Sequence, residues 1–268
     1  MKKALLYLFI FICIQFFVTW VVMMAWIAIQ DGSLSSLTGI ISGAVKPTVT
    51  TACTVTSSLV CSAVALALFV WRKWAVLSRS YIRTRPFGVL LWAVVAAAGT
   101  ILPSAWLQEL MPGLPDVSGD ALKAILGSRY GYFALCLFVP LVEEVVFRGA
   151  ILHALLAWKP DRWVAILLSA LIFAVAHFNP AQMPHAFLMG ILLGWLYCRT
   201  GSILPGVAVH WVNNTITYAA FMLMPQTADM TLSQFFGGDQ KRVALALIFS
   251  LFMLVPAIYQ LNMRMKRA

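Results

Sequence analysis

Residues 143–148 read Glu143-Glu144-Val145-Val146-Phe147-Arg148, inside a run that is otherwise apolar from Tyr130 to Leu156. The length and apolarity of the run predict a membrane helix, and the hexapeptide puts two carboxylates and a guanidinium into it. Each such charge costs roughly 2.5–3.5 kcal/mol at the bilayer centre. A helix keeps them there when they pair, line a wet cavity or do chemistry, so the rest of the chain is read for groups that can meet them.

Composition sets the frame. Of 268 residues, 62% are hydrophobic and 10% charged, against about 25% charged in an ordinary soluble domain. The chain therefore reads as an all-α, polytopic membrane bundle. Its net charge of +10 follows from basic loops, and nucleic acid is not an expected partner. The five cysteines, Cys13, Cys53, Cys61, Cys136 and Cys198, lie in apolar runs without paired spacing and read as small core residues. The run from Ala4 to about Ile29 is too long for a signal-peptide core and reads as a retained helix.

Eight spans are expected, near 4–29, 50–71, 87–108, 130–156, 163–178, 185–198, 203–224 and 242–262, with the fifth and sixth short. Placing the N-terminus inside puts thirteen Lys and Arg residues in inner segments and five in outer ones, namely Lys46, Lys123, Arg129, Lys241 and Arg242. That bias predicts two cytoplasmic termini and a bacterial inner membrane. Trp71–Arg85 mixes aromatic and basic residues and reads as an interfacial segment against anionic lipid. Glu109–Ser128 holds Pro112, Gly113, Pro115 and Gly119, then Asp120. It reads as a turn followed by a capped amphipathic helix. One integrated bundle is expected: helices and an outer segment over 1–124, a catalytic core over 125–225, and a last span with a basic tail over 226–268.

On an ideal helix Glu144 and Arg148 project about 40° apart and Glu143 about 100° from Glu144. The first two can pair, leaving Glu143 to face a cavity. Pro140 withholds a donor from the Cys136 carbonyl and is expected to kink the helix. Two later spans offer partners: Phe173 and His177 on the fifth, His210 and Asn214 on the seventh, each four residues apart. Pro205 is expected to bend the seventh span around the pocket. A rise of 1.5 Å per residue puts Glu143 and His177 roughly 20 Å, and His210 roughly 10 Å, from the inner ends of their spans, so tilted helices can converge.

Such a set can hydrolyse a peptide bond. Glu143 takes a proton from water and returns it to the leaving amine, while His177 orients the water. His210 and Asn214 donate to the oxyanion. The same Glu143, His177 and His210 are also residue types that hold Zn²⁺, and spacing leaves both readings open. The bland alternative is a polar seam between helices. His153 reads as an interfacial or packing histidine, and His185 as a rim residue of the cavity. Gly190, Gly194 and Gly149 read as close-packing positions. No GxSxG, HExxH or phosphate-binding glycine loop is present.

Glu143-Glu144…Arg148, Phe173…His177 and His210…Asn214 together resemble the EExxxR, FxxxH and HxxxN pattern of the CPBP intramembrane proteases. That family includes type II CAAX prenyl endopeptidases and bacteriocin-processing or immunity proteins. The resemblance covers roughly residues 125–225. It implies a helical bundle with a polar catalytic cavity. Glu143 and His177 would activate water, His210 and Asn214 would form the oxyanion pocket, and Glu144, Arg148 and Phe173 would support the site. It leaves a metal-dependent and a metal-free, glutamate-activated mechanism in competition, with the second favoured. The implied substrate is a membrane-associated protein or peptide, with bilayer lipid as surroundings. The competing readings are a non-catalytic immunity or scaffold protein and a proton-coupled transporter, which would use the same polar groups as relays and calls for an internal symmetry that the chain does not display.

Overall fold

The computed structural model describes residues 1–31, 38–39, 42, 49–77, 80–84, 86–111, 113–159, 161–227 and 230–265. Lys46 and Pro112 lie outside them, as do Arg79, Arg85, Lys266 and Arg267 of the thirteen inner basic residues.

Every regular element among the described residues is helical. α1 (Lys2–Asp31) and α2 (Thr51–Trp71) come first, then α3 (Phe87–Glu109) and the short α4 (Gly119–Leu126). The motif-bearing rod α5 runs from Tyr132 to Trp158. α6 (Arg162–Val175), α7 (Met183–Thr200), α8 (Leu204–Leu223) and α9 (Gln240–Arg264) complete the bundle. Short polar caps start several of them. Thr50 accepts from the Cys53 amide, Asp161 from Trp163 and Val164, and Asp239 from Lys241 and Arg242. Gly201, at φ +63°, ends α7 in a left-handed conformation that favours glycine.

Among the described residues four helices are long and apolar enough to cross a bilayer: Lys2–Gln30, Thr51–Trp71, Phe87–Glu109 and Gln240–Arg264. The chain is an integral membrane protein. The other four expected spans coincide in position with α5 to α8. Those helices fall outside the strict set because they are short, interrupted or diluted by the polar residues of the motifs.

Two large apolar cores hold the bundle, one of them built on α5. In that core α1 and α2 supply Phe11, Ala65 and Phe69, which pack with Val146, Phe147 and Ile151 of α5 and Phe173 of α6. In the other, α3, α7, α8 and α9 meet through Ala93, Ala97, Leu193, Val209 and Leu261. Small residues set the close approaches. A Cβ on Gly190 would lie 2.9 Å from Ala170, and one on Gly99 would lie 2.9 Å from the Leu254 amide nitrogen. The packing role expected for Gly190 and Gly194 is what these helices show.

α5 is not a plain α-helix. Tyr132–Phe138 and Glu144–Leu152 are wound in the π register, with one α-helical turn, Val139–Glu143, between them. Two carbonyls of the second π segment also accept from outside the helix. The Gly149 carbonyl accepts from the Val76 amide at 2.9 Å, and the Phe147 carbonyl accepts from Ser169 Oγ at 3.3 Å. In an apolar core such external donors tie α5 to its neighbours at fixed positions.

Two local expectations change. Pro205 sits in the first turn of α8, where a missing N–H costs nothing, so it starts that helix and does not bend it. α4 begins at Gly119 with Ser118 before it and Asp120 inside its first turn, so Asp120 is not the cap.

Candidate active site

The π register explains how α5 and α8 are joined. The Val139 amide donates to the Ala134 carbonyl, five residues back. The next donor in that register would be Pro140, which has no N–H. Its lost partner is Leu135, not the Cys136 expected from α-helical spacing. Asn214 Nδ2 donates to that Leu135 carbonyl at 2.8 Å, and Asn213 Nδ2 donates to Asn214 Oδ1 at 3.1 Å. The released carbonyl is thus the anchor for the α8 carboxamide.

One turn away, Glu144 and Arg148 are both fully buried and form an ion pair at 2.9 Å. Arg148 is held further by the Gly190 carbonyl, which accepts from Nη2 at 3.4 Å. Its guanidinium also lies 4.3 Å over the Phe173 ring, a cation–π contact. Gly206 of α8 makes room for Glu144: a Cβ there would stand 2.5 Å from Oε2.

His210 lies between the two carboxylates. Its Nε2 is 3.5 Å from Glu143 Oε2, and its Nδ1 is 3.4 Å from Glu144 Oε1. A protonated His210 makes the set Glu143, Glu144, Arg148 and His210 sum to zero charge. A neutral one carries a proton on a single nitrogen and can donate to only one carboxylate.

His177 is not on the helix that carries Phe173. α6 ends at Val175, and the His177 amide turns back to the Ala174 carbonyl. Its ring then occupies the place of the missing helical donor: Nδ1 lies 2.8 Å from the Phe173 carbonyl. Since a carbonyl only accepts, Nδ1 carries the proton, and the neutral ring keeps a lone pair on Nε2. Phe173 packs edge-on against His177 at 4.8 Å and against His210 at 5.9 Å, so one ring walls both imidazoles.

The segment after His177 is tied down. Phe178 adopts φ +52°, a conformation that non-glycine residues rarely take. Asn179 is fully buried. Its Nδ2 donates to Asp116 Oδ1 at 2.7 Å and Ser118 Oγ at 2.8 Å, and its Oδ1 accepts from the Val117 amide at 3.2 Å. Gln108 Nε2 donates to the Ala181 carbonyl at 2.7 Å. The Asn179-Pro180 pair is a turn signal; its partner strip, 116–118, is remote in sequence.

A cavity of about 1230 Å³ opens beside these groups, lined by Glu143, Ala176, His177 and Phe178 and by nine residues of α1. His210, Glu144 and Asn214 stand behind that wall. His185 faces elsewhere: its Nδ1 is 3.0 Å from Ser104 Oγ, and it lines a separate cavity of about 200 Å³ against α3. His153 is exposed.

Residues 126–216 match the family described as Type II CAAX prenyl endopeptidase Rce1-like, and that stretch includes all three motifs. Over this region the chain is similar to that family. A curated relative, "Membrane-embedded CAAX protease MroQ" of Staphylococcus aureus (strain USA300), is 31% identical over 157 residues, 56% of this chain and 63% of that protein. A second, "UPF0177 protein YxdF" of Lactococcus lactis subsp. lactis (strain IL1403), is 27% identical over 114 residues, 42% of this chain and 59% of that protein. The chain thus spans about three fifths of the length of each relative. No solved structure matches.

A Zn²⁺ site needs three or four suitable side chains brought to one point. Among the described residues no three His, Cys, Asp or Glu side chains converge as a metal-holding group. His210 stands between two carboxylates, and the Glu144 carboxylate is taken by Arg148. The Glu143, His177 and His210 set does not fit Zn²⁺ in this arrangement.

Proposed function

We propose that this protein is an intramembrane endopeptidase that hydrolyses a peptide bond in a membrane-associated protein or peptide. The observation that carries the reading is the shared cavity of Glu143 and His177, with His210 directly behind Glu143. The family match and the CAAX-protease relative support it.

In this reading Glu143 takes a proton from a water in the cavity, and the lone pair of His177 Nε2 accepts the water's other hydrogen and aims its oxygen. The oxygen adds to the scissile carbonyl. The C–N bond then breaks, and the proton held by Glu143 passes to the departing amine, leaving a carboxylic acid and an amine. His210 returns the Glu143 carboxylate to its resting contact and, with Asn214, donates to the oxyanion. Those roles require Asn214 to leave the Leu135 carbonyl and His210 Nε2 to turn from Glu143 toward the cavity during the reaction. Glu144 and Arg148 hold His210 and Phe173 in place.

The eight helical segments α1–α3 and α5–α9 are proposed to span a bacterial inner membrane with both termini cytoplasmic. The substrate then reaches the cavity from the bilayer. The test compares protein termini in membranes that make the wild type or Glu143→Gln at matched abundance. The reading expects new termini in the wild type alone. Identical profiles, with any biological effect retained by the variant, would overturn it and leave an immunity or scaffold role.

A further inference from the structure

α1 lies outside the motif region and outside the family match, yet it supplies nine of the thirteen residues that line the cavity. It is anchored rather than loosely apposed. Phe11 is buried edge-on against Phe147 of α5 at 5.4 Å. Thr19 Oγ1 is 3.3 Å from Cys61 Sγ of α2, and the same thiol donates to the Gln15 carbonyl oxygen at 3.7 Å. These contacts fix how the helix turns its side chains toward Glu143.

One of those side chains has no structural explanation. Gln15 lies in the middle of the apolar stretch Leu5–Ile29 and lines the cavity with Glu143 and His177. Its carboxamide makes no hydrogen bond among the described residues, although its own backbone carbonyl is satisfied by Cys61. A carboxamide carries two donors and one acceptor oxygen, and leaving them unpaired in hydrocarbon is unfavourable. Around it, Phe16, Phe17 and Trp20 are 63%, 67% and 49% exposed and line the same space.

A peptide bond presented for hydrolysis creates the complementary problem. A helical substrate keeps its backbone groups paired internally. An extended one brings unpaired N–H and C=O groups into an apolar cavity, where they need partners. The Gln15 carboxamide has the donor–acceptor pattern of a peptide group and can pair with one N–H and one C=O of such a segment.

We infer that Gln15 is a substrate-binding residue: it holds the backbone of a locally extended, apolar substrate segment laid along α1, with Phe16, Phe17 and Trp20 receiving its side chains. The inference rests on the endopeptidase reading and adds the form in which the substrate is bound.

The test uses the full chain with Gln15→Met, an apolar side chain of similar length, and Gln15→Asn, a shorter carboxamide. Terminus profiles from membranes making each variant are compared with wild type and Glu143→Gln. A synthetic peptide spanning one Glu143-dependent terminus then serves as substrate for purified protein, with thermal unfolding followed in parallel. The expected result for Gln15→Met is loss of the same termini and a rise in KM of about tenfold, equivalent to about 1.4 kcal/mol. Its kcat should stay within about twofold and its unfolding temperature should not change. Gln15→Asn should recover part of the KM. An unchanged KM, or a loss carried by kcat alone, would overturn the role of Gln15 while leaving the endopeptidase reading intact. If Gln15→Met does not accumulate, the KM of Gln15→Asn decides, and a wild-type value overturns the role. If wild-type membranes show no Glu143-dependent terminus, the endopeptidase reading fails and this inference fails with it.

Discussion

α3 and α9 cross through Gly99 and Leu254 with an apolar seam of Ala93, Ala97, Ala257 and Leu261. α5 crosses its neighbours through carbonyls that accept from outside the helix: Leu135 from Asn214, Phe147 from Ser169 and Gly149 from Val76. The first pair is joined by shape alone. The second is joined by directional bonds that fix rotation and height, which a constellation of Glu143, His177 and His210 needs and a structural seam does not. The polar groups that are costly in a membrane are concentrated where position matters.

The sharpest way to break that contrast is Arg148→Ala. Removing one partner of a buried pair leaves an uncompensated charge and costs roughly 3–5 kcal/mol. Thermal unfolding in detergent should register a large fall. Glu144→Leu combined with Arg148→Met should lose much less stability, while activity should be lost in both.

A smaller effect is expected from Gly206→Ala and Gly99→Ala, each of which forces a methyl against a neighbour and should cost about 1–3 kcal/mol. The two separate the regions. At Gly206 the methyl meets Glu144, so cleavage should fall beyond what the stability change explains. At Gly99 it meets backbone of α9, and the cleavage rate of folded protein should remain near wild type. Equal activity losses would erase the distinction.

Asn179→Ala removes three hydrogen bonds from the segment behind His177. Buried groups left unpaired cost about 1–3 kcal/mol, and kcat should fall more than KM rises, because His177 is displaced while the α1 wall is unchanged. The smallest effect belongs to the exposed pair Arg242–Asp239, 3.3 Å apart. Arg242→Ala should shift stability by at most about 1 kcal/mol and leave cleavage unchanged.

Much of the site was legible in the chain. The four-residue spacing of Glu144 and Arg148 announced their pair, and the intramembrane carboxylates announced a cavity. The π winding was not legible, because Ala134–Cys136 and Val145–Phe147 are equally apolar in either register. That ambiguity moved the carbonyl released by Pro140 from Cys136 to Leu135. His177 was read onto a helix that ends at Val175, since hydropathy continues smoothly through Ala176. Gly206 and the Asn179 clamp were missed because their partners, Glu144 and residues 116–118, are distant in sequence. Gln15 was visible as a lone carboxamide in an apolar run, but only the cavity gives it a neighbour in Glu143.

The central claim is that Glu143 and His177 act on one water. Purified wild type, Glu143→Gln, His177→Ala and the double variant should be compared in single-turnover cleavage of a peptide spanning a wild-type-dependent terminus. The account predicts that the double variant is about as slow as the slower single, because groups acting as a unit are not additive. Losses that multiply, or a Glu143→Gln variant that still turns over at the wild-type rate, would contradict it.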